Sequence, residues 1–238
     1  MAGVPAALAA ARGLAIDVVP GIEITAVWQD RDVHILGYFL DPSCPPLVAF
    51  LEAQHTDRIR RARAVGERLE ALGVRIDVEA LIAASGARPV SRPAIADALT
   101  AGGYTRTRDE AFARFLGEDA LAYVPRCGAT PEQVIGLIRL AGGLSSLAHP
   151  GLTEIDGRIP ELARAGLDAI EVYHPEHRAE QTVRYLALAR ELNLGVTGGS
   201  DCHGEDSHYP GGLGSHTLPP EQFDDLCRRA RAAMSRRE

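Results

Sequence analysis

The chain has 238 residues, 46% of them hydrophobic and 24% charged, with a formal net charge of −7. That composition is ordinary for a globular protein, and the length suits one large α/β domain or a domain carrying an insertion. The acidic balance argues against a general nucleic-acid binder, which needs a basic surface to release counterions, and no run reaches the roughly 18 apolar residues of a membrane span.

The Ala-rich start, Met1 to Val19, has no basic residue ahead of its apolar stretch and is interrupted by Arg12. It reads as an amphipathic helix rather than a signal peptide. A strand broken by Pro20-Gly21 is expected over Ile16–Thr25. Two β-rich runs follow, Ile22–Trp28 and Val33–Leu40, and the polar stretch Gln29–Asp32 between them indicates a hairpin. Pro42, Pro45 and Pro46 end this sheet-like region.

From Leu47 to Gly117 the apolar residues recur at helical spacing (Leu47, Phe50, Leu51, then Ile59, Ala62, Val65, Leu69, Leu72), with Gly73 where a C-cap belongs. Shorter helices are expected over Val78–Ala84, Pro93–Ala101 and Arg108–Leu116, behind caps at Asp77, Ser91 or Arg92, and Thr107. This stretch, 47–117, reads as an all-helical insertion into a domain made of 1–46 and 118–238. The remainder alternates helix and strand: helix Pro131–Ala141, strand Leu144–Ala148, helix Ile159–Ala165, strand Ala169–Tyr173, helix Ala179–Leu192, strand Leu194–Thr197 and helix Pro219–Met234. Such alternation indicates parallel βαβ units.

In parallel α/β folds the C-terminal strand ends converge on the functional face. Here strand Leu144–Ala148 runs into His149-Pro150-Gly151. Strand Leu194–Thr197 runs into Gly198-Gly199-Ser200-Asp201-Cys202-His203-Gly204, and strand Ala169–Tyr173 into His174-Pro175-Glu176-His177. Asp201 and His203, two apart on an extended segment, point the same way and can reach adjacent metals. Glu23 and His34 lie eleven residues apart on the early hairpin. Singly, His34 reads as a core histidine and Glu23 as an exposed strand carboxylate; beside His149, Asp201 and His203 they complete a candidate metal set. Two carboxylates and three imidazoles without a thiolate suit Mn²⁺, Zn²⁺ or Fe²⁺, and a carboxylate can bridge two cations as metal-pair hydrolases require.

The stretches PGIEIT, DVHILGYFLDP, LAYVP, AGGLSSLAHPG, AIEVYHPEH and GGSDCHG, in that order, resemble the PHP (polymerase and histidinol phosphatase) superfamily of metal-dependent phosphoesterases. The helical stretch with SRPAIADALTAGGY and DEAFARFLG is similar to the branch of 3′,5′-nucleoside bisphosphate phosphatases and 5′-to-3′ exonucleases. The resemblance implies a distorted seven-stranded β/α barrel with a trinuclear metal site at its C-terminal rim, holding Mn²⁺ or else Zn²⁺ or Fe²⁺. By motif, Glu23 would bridge two metals, His34 and His149 would complete one site, Asp201 would serve the second and His203 the third. Family members open with a His-x-His strand and a Thr-Asp-His-Asp strand. The first histidine here is His34, so the expectation is a barrel shortened by about two strands, with only the Glu23–His34–His149 site keeping its full protein set.

Ser91 and Arg92, at the start of a helix, are candidates to bind a substrate phosphate, with Arg126 a further candidate; Ala94 stands where relatives commonly have His. The implied activity is hydrolysis of phosphate esters on nucleotides or short oligonucleotides. The alternatives are histidinol-phosphate hydrolysis, or a metal-poor remnant acting as a binding module. All 25 basic residues are Arg, which suits phosphate contacts, although a GC-rich genome explains the same bias. Cys44, Cys127, Cys202 and Cys227 form no CxxC pair, which favours reduced thiols and a cytoplasmic protein.

Overall fold

Alternation of apolar and polar residues with a period of two builds the first hairpin. In the computed structural model, which describes residues 3–86, 90–203 and 212–235, β1 (Gly21–Trp28) pairs antiparallel with β2 (Arg31–Tyr38). Glu23 stands opposite Leu36 and Thr25 opposite His34. Ile24, Ala26, Val33 and Ile35 are buried in the core, so Glu23 and His34 project together from the other face of the hairpin. The turn is tighter than the polar stretch suggested: Gln29 and Asp30 alone form it, with φ of 48° and 63°, while Arg31 and Asp32 already belong to β2. Two consecutive positive φ angles give the turn whose twist matches paired strands.

The N-terminal expectations need correction. Helix α1 covers only Val4–Ala10 and has no buried residue, because seven residues without an apolar partner face cannot extend a stable helix. Regular strand begins at Gly21 rather than Ile16.

β3 (Leu144–Leu147) pairs antiparallel with β2, and β4 (Ala169–Tyr173) and β5 (Gly195–Gly198) continue the sheet in parallel, in the order β1-β2-β3-β4-β5. Among the described residues the sheet has five strands and does not close. All of β3 and all but the last residue of β4 are buried, as expected for strands covered on both faces. Helix α6 (Pro131–Leu140) starts at Thr130 with a reciprocal capping box to Gln133 and buries Val134, Ile135 and Ile138.

The chain divides into two compact units, Met1–Val48 with Gly128–Glu238, and Ala49–Cys127. The second unit is helical. It holds most of α2 (Pro45–Ala71), then α3 (Val78–Ser85), α4 (Arg92–Ala101) and α5 (Arg108–Ala111), with Asp77, Ser91 and Thr107 each accepting a first-turn N–H. The helix expected over Arg108–Leu116 is not uniform: from Phe112 to Leu116 it widens into a π-helical turn closed by the Gly117 N–H on the Phe112 carbonyl at 2.8 Å. The core of this unit includes Leu69, Leu99, Phe115 and Leu116, all at most 3% exposed.

In the first unit, α7 (Pro150–Thr153), α8 (Ile159–Ala165), α9 (Ala179–Glu191) and α10 (Pro220–Ser235) complete the helices. Leu226 and Ala230 of α10 pack with Leu144 and Ala169 beneath the strands. Among the described residues no helix is long and apolar enough to cross a membrane.

Candidate metal centre

The sheet brings distant segments to one place. At the end of β3 the Ala148 N–H donates to the His34 carbonyl at 3.0 Å, which sets the next residue, His149, beside His34. His34 Nδ1 lies 3.2 Å from His149 Nε2 across 115 residues of sequence. Glu23 Oε1 lies 2.5 Å from His34 Nδ1 and 3.6 Å from His149 Nε2. A second group joins the same carboxylate: one donor atom each from Glu23, Asp201 and His203 lie within 4.8 Å of one another. Glu23 is common to both groups.

His149 and Asp201 occupy the left-handed backbone region, at φ of 25° and 46°. For non-glycine residues such conformations cost about 1–3 kcal/mol each and concentrate at functional sites. One compensation is visible. The His149 N–H donates to Glu171 Oε2 at 2.8 Å, and hydrogen bonds to charged groups contribute about 1.5–3 kcal/mol. At the end of β5, Gly198 is required by close approach, since a Cβ there would come within 2.6 Å of the Tyr173 side chain.

The electrostatics follow from three negative groups around imidazoles. Burial opposes ionisation of Glu23, but hydrogen bonds from His149 and His34 more than offset it and hold the carboxyl well below the usual range. Burial likewise disfavours the charged form of His149, yet its hydrogen bond to Glu23 and the charges of Glu171, Glu23 and Asp201 leave its pKa raised above 6.5. Glu171, 6% exposed, is pushed up by burial despite the His149 N–H. His174 is buried, accepts the Glu176 N–H on Nδ1 at 3.2 Å and places Nε2 3.6 Å from Asp201 Oδ2.

This donor set fits a divalent cation. Two ligands of one ion, at bonds of about 2.1 Å, stand about 3.0–3.4 Å apart, and the facing nitrogens of His34 and His149 are 3.2 Å apart with a carboxylate oxygen beside both. Ser91 Oγ accepts the Ala94 N–H at 3.3 Å and caps α4. It belongs to the helical unit, as do Arg92 and Arg126. Glu171 was not singled out by the sequence analysis. The available signal was a carboxylate inside the buried run Ala169–Tyr173, a position that demands a partner.

A mixed sheet on which carboxylates and imidazoles converge from β1, β2 and the ends of β3 and β5 is an arrangement that metal-dependent hydrolases use. No family model matches the chain. It is 32% identical over 196 residues to the 5′-3′ exoribonuclease Rnm of Escherichia coli, covering 80% of this chain and 67% of that protein. It is 30% identical over 232 residues to the 3′,5′-nucleoside bisphosphate phosphatase of Chromobacterium violaceum, covering 95% of this chain and 80% of that one. A Bifidobacterium adolescentis structure assigned as a metal-dependent phosphoesterase superposes with a TM-score of 0.82 at 31% identity, covering 96% of this chain and 82% of its own. The chain belongs to the PHP family of metal-dependent phosphoesterases.

Proposed function

We propose that this chain hydrolyses phosphate esters of nucleotides or short oligonucleotides, with divalent ions held by Glu23, His34 and His149 and by Glu23, Asp201 and His203. The observation that carries the reading is the position of Glu23, whose carboxylate faces two separate groups of donors. Bound ions supply a hydroxide near neutral pH and stabilise the phosphoryl oxygens. Mn²⁺ is the proposed ion, with Zn²⁺ or Fe²⁺ as alternatives, all of which mixed nitrogen and oxygen donors can hold. The chain's own residues do the holding: Glu23 stays ionised, His34 and His149 present ring nitrogens to one point, and Glu171 keeps the His149 turn in place. The five strands are read as part of a seven-stranded barrel, and the helical unit as an insertion in it. Ser91 and Arg92 at the N-terminus of α4, with Arg126, are read as contacts to a substrate phosphate. A reducing, cytoplasmic setting agrees with the four free cysteines.

The names of the two relatives support the substrate class, one an exoribonuclease and one a nucleoside bisphosphate phosphatase. Purified protein with Mn²⁺ should release phosphate from a nucleoside 3′,5′-bisphosphate or mononucleotides from a short oligonucleotide. Failure on both, with ions bound, would sink the assignment, and faster turnover of histidinol phosphate would redirect it. The alternative reading is a metal-poor remnant acting as a binding module. One ion or none per chain would support that reading, whereas three tightly bound ions would refute it.

A further inference from the structure

The turn His149-Pro150-Gly151 has two backbone N–H donors, since proline has none. Both are taken by side chains from one stretch of chain, β4 and the loop after it. Glu171 Oε2 accepts the His149 N–H at 2.8 Å, and His177 Nε2 accepts the Gly151 N–H at 3.2 Å. Because Nε2 accepts, the His177 proton sits on Nδ1, which donates to the Val172 carbonyl at 2.9 Å. The ring is therefore tied at both nitrogens, one to β4 and one to the turn. Gly151 lets the turn approach this closely, because a Cβ there would come within 2.6 Å of Gln181 Nε2 and 2.8 Å of His177 Cδ2.

Among the described residues no protein group anchors the second ring nitrogen of His149. Metal-binding imidazoles normally donate their second nitrogen to a carboxylate, carbonyl or water. His149 Nδ1 is buried and has no hydrogen-bond partner among the described residues. The direction of Nε2 is then set by the backbone of the turn, which sits at a φ of 25°.

We infer that Glu171 and His177 are positioning residues. They hold the two N–H groups of the turn, so that His149 Nε2 meets Glu23 and His34 before an ion arrives. The inference rests on the reading of His149 as a metal ligand.

Calorimetric titration of the full chain with Mn²⁺ tests it, in the parent and in Glu171→Asp, Glu171→Gln and His177→Phe. Asp withdraws the acceptor by one methylene, Gln keeps an oxygen in place, and Phe keeps the ring without its nitrogens. Glu171→Asp and His177→Phe should weaken Mn²⁺ binding about 10–100-fold, with the circular-dichroism spectrum in chelator unchanged and the melting temperature in chelator lowered by about 3–12 °C, while Glu171→Gln stays close to the parent. Parent affinity in Glu171→Asp and His177→Phe would overturn the inference, as would a Glu171→Gln protein as weak as Glu171→Asp. If one variant does not fold in chelator, the other decides. Loss of the fold in both would also overturn it, since the role would then be structural. A parent that binds no Mn²⁺ would instead remove the metal-site reading itself.

Discussion

Replacing Glu23 by Gln should abolish metal-dependent stabilisation of the whole site, because this carboxylate belongs to both groups of converging donors. An ion that binds only the folded chain at a hundred times its Kd stabilises it by about 2.7 kcal/mol. At this chain length 1 kcal/mol corresponds to about 2–4 °C, so saturating Mn²⁺ should raise the parent melting temperature by about 5–10 °C per ion. Glu23→Gln should lose nearly all of that rise. His34→Ala removes a donor from one group only and should lose one ion's share. In chelator the Glu23→Gln change should be small. A hydrogen bond to a charged group contributes about 1.5–3 kcal/mol, but the Glu23 side chain is 33% exposed and solvent screening reduces the effect to about 1 kcal/mol or less. Its depressed pKa means this increment is present above the unfolded value of 4.5 and is lost as pH falls towards the folded value. The assay is a thermal melt with and without Mn²⁺, paired with metal stoichiometry. A Glu23→Gln protein that keeps the parent's Mn²⁺ shift would refute the shared-carboxylate reasoning.

The His149 pKa, raised above 6.5 by its acidic neighbours against the pull of burial, means that an ion must displace a proton from this ring. Mn²⁺ affinity should therefore already fall as pH drops through a value above 6.5, with proton release visible by calorimetry in buffers of different ionisation enthalpy. In the metal-free chain the same group contributes stability below pH 6.5 that is lost as pH rises through the raised value. Arg92→Ala should raise KM for a nucleotide substrate while leaving Mn²⁺ affinity unchanged; equal KM values would remove Arg92 from substrate binding. Leu99→Ala, at a fully buried position in the helical unit, should cost about 2–5 kcal/mol in denaturant unfolding. Gly37→Ala would put a Cβ 2.7 Å from Leu40 Cδ2 and 3.2 Å from Ile138 Cγ1, and should destabilise the first unit by about 1–3 kcal/mol through overpacking.

Much of the scaffold was legible because local rules set it. Period-two alternation in Gly21–Trp28 and Arg31–Tyr38 is enough to put Glu23 and His34 on the face opposite Ile24 and Ile35. The caps Asp77, Ser91, Thr107 and Thr130 start their helices where hydroxyl and carboxylate acceptors meet first-turn N–H groups. Short-range pattern failed where a partner is needed. The Ala-rich start has helical composition but no face to bury, and the helix after Thr107 widens at Phe112 although nothing in its spacing announces it.

For the site, the sequence by itself singled out side chains of metal-ligating chemistry on the early hairpin and after two later strands, because residue chemistry and strand periodicity are local properties. Only the tertiary structure decided that His34 and His149 face each other at 3.2 Å, that Glu23 serves two groups of donors, and that Glu171 holds the turn between them. Those facts depend on sheet order and register, which are settled by packing between segments from 22 to more than a hundred residues apart.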